Sequence, residues 1–339
     1  VTASTDGAPS HADVLWLTQL HDISLSRMLY AVTRLGVPDL LGRGEDHEAA
    51  EIADRLEVDA DSLDRILRAL AAAGIFERTS GTRYRNTPTS LLLCTNGGQL
   101  ADEVQLQAEY LAFGDIEHVV RTGRPAMAEQ GGFYQALDRN DDWANTFRRA
   151  CRSRSGRTFS AVLRSHDWGR SRRILDIGGG VGHHLETVLA GHPGKTGTLI
   201  DRAAGIAQAR EREWQPGVRD RVEFAALDYM ADPMPPADCA LLVNVLHNLP
   251  DHQVCELLAG LRQRSACDRL VIGEYVLPES PHEPHPGLLA DVWMLVLVGG
   301  RERRRSEFEN LFSEAGWKLV VTREDPVTRG ALLDCTRAE

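Results

Sequence analysis

From Arg173 onward the chain changes its hydrophobic period, and that change limits the folds open to it. RILDIG, TGTLID (196–201), RVEFAALD (221–228), ADCALLVNVL (237–246) and DRLVIGEYVL (268–277) read as strands. HLETVLAGHP, AAGIAQARERE and DHQVCELLAGLRQR (251–264) lie between them with helical spacing. Strands separated by helices imply a parallel sheet covered on both faces, because a parallel pairing needs a crossover long enough to hold a helix. Ligands of such sheets gather at the carboxyl ends of the strands. The expected class is α/β, with a Rossmann-like parallel sheet over 166–339.

At that edge stands LDIGGGVGHHL (175–185), an apolar run followed by four glycines in five positions. Glycines this dense after a strand allow backbone to approach a ligand closely. A nucleoside-triphosphate loop requires G-x-x-x-x-G-K-[ST], and no lysine follows. A dinucleotide fingerprint requires G-x-G-x-x-G, and counting from Gly178 and Gly180 the third position is His183. What fits is D-x-G-x-G-x-G: Asp176, Gly178, Gly180, Gly182. Asp201 and Asp228 end the next two expected strands. One strand-end aspartate commonly caps the following helix; three at successive strand ends are a stronger signal.

The first half is mostly helical. Residues 1–12 read as disordered. Apolar positions recur at helical spacing from Val14 to about Leu41 and break at Gly36 and Pro38. HEAAEIADRLEV (47–58) and a longer segment within 60–78 read as helices, and Ser80-Gly81 between IFER and TRYRNT signals a hairpin. Helix, turn, helix and a two-stranded wing describe a winged helix over 13–100, followed by a helical region over 101–165. A winged helix can bind DNA. Here Asp59, Asp61 and Asp64 crowd the start of the would-be recognition helix, and the net charge is −11. Both features repel a phosphate backbone. A structural or dimerising role is expected, with a ligand-sensing regulator as the competing class.

The glycine pattern resembles motif I of class I S-adenosylmethionine-dependent methyltransferases. VLHNLPDH (245–252), IGEYVLP (272–278) and DVWMLVLVGGRERRRSEFENLFSEAGW (291–317) are similar to segments of the small-molecule O-methyltransferases typified by plant caffeate enzymes and bacterial polyketide-tailoring enzymes. The resemblance covers roughly 15–325. It implies S-adenosylmethionine held by Asp176, Gly178, Gly180, Gly182, Asp201, Asp228, Tyr229 and Asn244, with Asp201 on the ribose, Asp228 on the adenine amino group and Tyr229 and Met230 over the ring. It implies His247 as general base, flanked by Glu274 and Glu302, acting on a hydroxyl of a small aromatic natural product. A histidine near its ordinary pKa of ~6.5 can accept a proton at neutral pH, and a carboxylate on its far nitrogen fixes the tautomer. Substrate is expected between the two halves, near Phe113, Phe133, Asp291, Trp293 and Met294. The resemblance also implies a homodimer through the N-terminal helices.

Two departures stand out. Leu249 occupies the position of the family's tryptophan, and Asn248 that of the acid after the histidine. Some relatives have drifted to C-methylation, decarboxylation or hydroxylation, which remain alternatives. Six cysteines form no C-x-x-C pair, and no run of 18 apolar residues occurs; a cytoplasmic protein outside the membrane is expected. No metal is expected: His282 and His285 stand in a proline-rich loop, without the helical spacing of a metal pair.

Overall fold

A computed structural model describes residues 17–18, 20, 22–169, 171–280 and 282–338. The disorder expected for 1–12 falls outside them. The chain divides into two compact units, Val1–Leu106 and Gln107–Glu339.

In the first unit, helix Ser24–Leu35 ends at Gly36, whose φ of 78° is the left-handed conformation that closes a helix; Val37–Leu41 then restarts with Pro38 in its first turn. The expected helix at 47 begins only at Ala49. His47 and Glu48 instead form strand β1, paired with Tyr84 and Arg83. Helix Ala60–Ala72 starts at Asp59, whose Oδ1 accepts the Ser62 N–H at 2.8 Å. The wing follows as β2 (Phe76–Ser80) and β3 (Arg83–Asn86), in the sheet order β1-β3-β2. Val32, Leu41, Ile52, Leu67, Leu70, Phe76 and Tyr84 fill the core. The Tyr84 hydroxyl donates to Asp64 Oδ1 at 2.7 Å, so this acid of the would-be recognition helix is engaged by the wing.

In the second unit, helices Gln107–Phe113, Ile116–Thr122, Phe133–Asp138 and Asp141–Ser165 precede the sheet. The strands are β4 (Arg173–Ile177), β5 (Thr196–Asp201), β6 (Val222–Ala226), β7 (Cys239–Val243), β8 (Arg269–Leu277), β9 (Arg303–Arg304), β10 (Trp317–Glu324) and β11 (Gly330–Arg337). They lie in the order β10-β11-β8-β7-β4-β5-β6, with β9 beside β8. Strands β4 to β9 pair in parallel, while β8-β11 and β11-β10 are antiparallel. All five residues of β7 are buried. Ala240 and Leu242 face one apolar core, and Cys239, Leu241 and Val243 face the other. That is the pattern of a central strand covered on both sides.

From β4 the chain moves through β5 to β6 on one side, then returns to β7 on the other. The switch point lies between β4 and β7, where the carboxyl-end loops diverge and leave a crevice. The glycine turn follows β4, and the segment holding His247 follows β7.

A second sequence expectation is corrected at the end of β6. Strand β6 stops at Ala226, so Asp228 is not a strand end. The Asp228 N–H donates to Asp232 Oδ2 at 2.9 Å, and the Asp232 N–H returns to the Asp228 carbonyl at 2.8 Å. A polar turn wins over strand continuation.

Candidate active site

The turn after β4 is built by backbone. Gly178, Gly180 and Gly182 have φ of 66°, 59° and 81°, where a side chain is strained. Gly179 is required for another reason: a Cβ there would fall 2.3 Å from Asp176 Oδ2 and 2.5 Å from a Leu199 methyl. Asp201 ends β5, and its Oδ2 accepts the Gly180 N–H at 2.8 Å, pulling the turn against the neighbouring strand. Its Oδ1 accepts the Arg202 N–H at 2.8 Å. Each oxygen keeps a lone pair for a further donor, as a vicinal diol would supply.

Asp176 is fully buried, and neither oxygen has a well-formed hydrogen bond. Burial, aided by the Asp201 charge, pushes its carboxyl up to about 7. Beside the turn stand Val245 and Tyr229: a Cβ on Gly178 would lie 3.0 Å from Val245 and 3.8 Å from the Tyr229 ring. On the outer side of Gly180 nothing lies within 4 Å. The turn is thus an open cradle with a carboxylate at its rim, which fits an adenosyl group. Asp228 is exposed, and its Oδ1 accepts the Met230 N–H at 2.9 Å. Asn244, directly after β7, has a φ of 55°. Its Nδ2 donates to Ser155 Oγ at 3.0 Å, and that hydroxyl lies 2.6 Å from His184 Nε2. The sequence reading missed Ser155, on helix Asp141–Ser165, which here joins the strand end to the helix after the turn.

The structure brings His247, Glu274 and Glu302 together from three separate segments. His247 lies in the short helical turn Leu246–Asn248 after β7, Glu274 in β8, and Glu302 just before β9. Nδ1 of His247 lies 2.8 Å from Glu302 Oε1 and 3.4 Å from Glu274 Oε2. Glu274 Oε1 also accepts the backbone N–H groups of Val245, Leu246 and His247 at 3.0, 2.8 and 3.3 Å. Both carboxylates are wholly buried, and each keeps an Oε2 without a hydrogen bond. A carboxylate only accepts, so Nδ1 carries a hydrogen and Nε2 is the nitrogen that gains or loses a proton.

Burial opposes the imidazolium, but the charges of Glu274 and Glu302 outweigh it and raise His247 to about 9. Burial likewise pushes Glu274 up to about 7, against the attraction of His247. This departs from the sequence expectation of an ordinary imidazole. Its physical cause is two anions held in a dry pocket beside one ring. Ligand atoms of the three groups all lie within 4.8 Å of one another, close enough for a cation as well as a proton.

The segment before β9 grips the histidine loop. The Arg301 N–H donates to the His247 carbonyl at 2.8 Å. A Cβ on Gly300 would sit 1.9 Å from that same oxygen, so this position requires glycine. Asp291, expected at the substrate, accepts the Glu302 N–H through Oδ1 at 2.8 Å and fixes that residue's backbone. Phe113 and Trp293 pack with ring centroids 5.2 Å apart in a cluster that also contains Phe133. Phe133 is only 2% exposed and meets Phe147 edge-on at 5.1 Å, so it backs this wall and presents no free face. Met294 is half-buried on the same helix, Pro286–Leu297, as Asp291 and Trp293.

Comparison with known proteins matches residues 113–318 to the O-methyltransferase domain family and residues 17–96 to the O-methyltransferase dimerisation domain. O-demethylpuromycin-O-methyltransferase of Streptomyces alboniger is 32% identical over 89% of this chain and 82% of its own length. Aclacinomycin 10-hydroxylase of Streptomyces purpurascens is 30% identical over 95% of this chain and 90% of its own. Among solved structures, an O-methyltransferase from neocarzinostatin biosynthesis, in complex with S-adenosylmethionine and 2-hydroxy-5-methyl naphthoic acid, superposes with a TM-score of 0.80. It is 25% identical, over 95% of this chain and 98% of that one.

Proposed function

The chain belongs to the O-methyltransferase family, which uses S-adenosylmethionine, and from that premise we propose that it methylates a hydroxyl of a small aromatic natural product, with His247 as general base. The observation that carries this reading is the 2.8 Å contact of His247 Nδ1 with Glu302, which leaves Nε2 for a substrate proton. Asp176, the glycine turn, Asp201, Asp228, Tyr229 and Asn244 would hold the cofactor. When bound, S-adenosylmethionine supplies an electrophilic methyl group on a sulfonium.

The residues of this chain position the acceptor and remove its proton. Phe113 and Trp293 offer faces suited to a flat ring. Neutral His247 accepts the hydroxyl proton at Nε2, and Glu302 and Glu274 stabilise the imidazolium that forms. Excluding water from this buried cluster strengthens those charges. The imidazolium is held up to about 9, so the base is neutral in only a minor fraction of free enzyme at pH 7. Activity should therefore rise with pH as His247 loses its proton.

The test is His247→Ala, assayed against candidate phenols. Turnover should fall by about 10² or more, while S-adenosylhomocysteine affinity measured by calorimetry stays near wild type. An unchanged rate rejects the base. Mass analysis of the product separates a methyl gained on oxygen from C-methylation, hydroxylation or loss of carbon dioxide. We also propose a homodimer, supported by the dimerisation-domain match and by Leu17, Leu20 and Ile23, each more than half exposed on a single copy.

A further inference from the structure

The run RERRR places four arginines within five residues, and one differs from the rest. Arg301, Arg304 and Arg305 have side chains about half exposed, at 50%, 49% and 53%; that of Arg303 is 1% exposed. Its guanidinium is spent on the loop that carries His247. Nη1 donates to the Leu246 carbonyl at 3.0 Å and Nη2 to the Leu249 carbonyl at 2.7 Å, so the two bonds bracket His247. Nε and Nη2 both reach Asp251 Oδ1, at 2.9 and 2.8 Å, where helix Asp251–Arg264 begins.

The backbone of Arg303 pairs with Val276 of β8, two residues beyond Glu274. Its preceding neighbour is Glu302. One residue therefore joins all three members of the cluster: through strand pairing to Glu274, through the peptide bond to Glu302, and through its side chain to the His247 loop. A planar fork of five donors can hold two carbonyls and a carboxylate at once, which a lysine ammonium cannot do in the same plane.

We propose that Arg303 is a positioning residue that sets the orientation of the His247 imidazole between Glu302 and Glu274. It acts from behind the loop and contacts none of the reacting atoms.

The proposal rests on the reading of His247 as base, and its test separates the two. Full-length protein with 15N-labelled histidine is studied bound to S-adenosylhomocysteine, and the Nδ1–H resonance of His247 is identified by its loss in His247→Asn. In Arg303→Lys that resonance should shift, and its hydrogen should exchange about tenfold faster or more. Turnover should fall about 10- to 100-fold, with S-adenosylhomocysteine affinity and KM for S-adenosylmethionine within about threefold of wild type. An unshifted resonance overturns the positioning role. Equal losses in cofactor affinity and turnover also overturn it, because they mark a merely structural residue. A shifted resonance with full turnover overturns the base reading instead. Should Arg303→Lys not fold, Asp251→Ala removes the half-exposed acceptor that anchors the guanidinium, and the same spectrum and rates decide.

Discussion

The turn at 178–182 and the cluster around His247 lie at the ends of neighbouring strands but are built by opposite means. The turn works by leaving side chains out. Its shape comes from three left-handed glycines and a fourth that a single added carbon would drive into Asp176. The cluster works by placing charges where water cannot screen them, with two buried carboxylates beside one ring. A cradle of backbone is intolerant of added volume. A cluster of charges is intolerant of lost charge and tolerates isosteres in its shape. The two regions should therefore fail differently, in affinity and in pH dependence respectively.

The largest effect should come from adding volume to the turn. In Gly179→Val the new carbons have no space between Asp176 and Leu199, both fixed in the interior. The turn must move, and S-adenosylhomocysteine affinity should fall by about 10² or more by calorimetry, against little change in His247→Ala. Binding within threefold of wild type would show that the turn is not the cradle.

A smaller and more distinctive effect belongs to the cluster. In wild type, log kcat/KM should climb with pH and level near 9, where the free-enzyme imidazole titrates. Glu302→Gln keeps the shape and an acceptor for Nδ1–H but removes one of the two charges. The rising limb should then move to lower pH by about one unit or more. Stability follows the same sign. The folded pKa of His247 lies above its unfolded value of ~6.5, so its contribution is complete below that pH and is lost as pH rises toward 9. Melting temperature should accordingly decline across that window, and less steeply in Glu302→Gln. A limb that does not move would leave some group other than His247 titrating.

The same contrast decides what could be read from the sequence. The turn is contiguous, and its glycines report local backbone demands, so Asp176 to Gly182 and Asp201 are legible from neighbouring letters. His247, Glu274 and Glu302 are joined across separations of 27 and 55 residues by sheet register and long-range loop contacts. No local period marks them; they were legible only through resemblance to a family. Asp228 was misplaced because a run ending FAALD does not reveal that Asp232 folds back to make a turn. The hairpin of β10 and β11 went unread, although WKLVVTRE and GALLDCTR are strand-like, because the alternation of strand and helix had already ended. Arg303 is the sharpest case. Nothing in RERRR distinguishes the one buried arginine from its solvated neighbours, and only the carbonyls of a loop some fifty residues away select it.

The smallest effect tests whether the two regions are coupled. Tyr134, on helix Phe133–Asp138, contacts a sequence neighbour of each. Its ring lies 5.2 Å from the guanidinium of Arg202, the residue after Asp201, and its hydroxyl donates to Asn248 Oδ1, next to His247, at 3.3 Å. A tyrosine hydroxyl stays protonated at neutral pH, so it remains a neutral donor. A neutral bond of that length contributes no more than about 1 kcal/mol net, whereas the ring also packs edge-on against Phe133 and Phe147. Tyr134→Phe should thus change both turnover and S-adenosylhomocysteine affinity by less than about threefold. Tyr134→Ala, which removes the ring, should weaken both by clearly more. If the Phe variant instead lost turnover alone, the hydroxyl would belong to the charge cluster, and the division between a backbone cradle and a charged base would have to be redrawn to place Tyr134 on the chemical side.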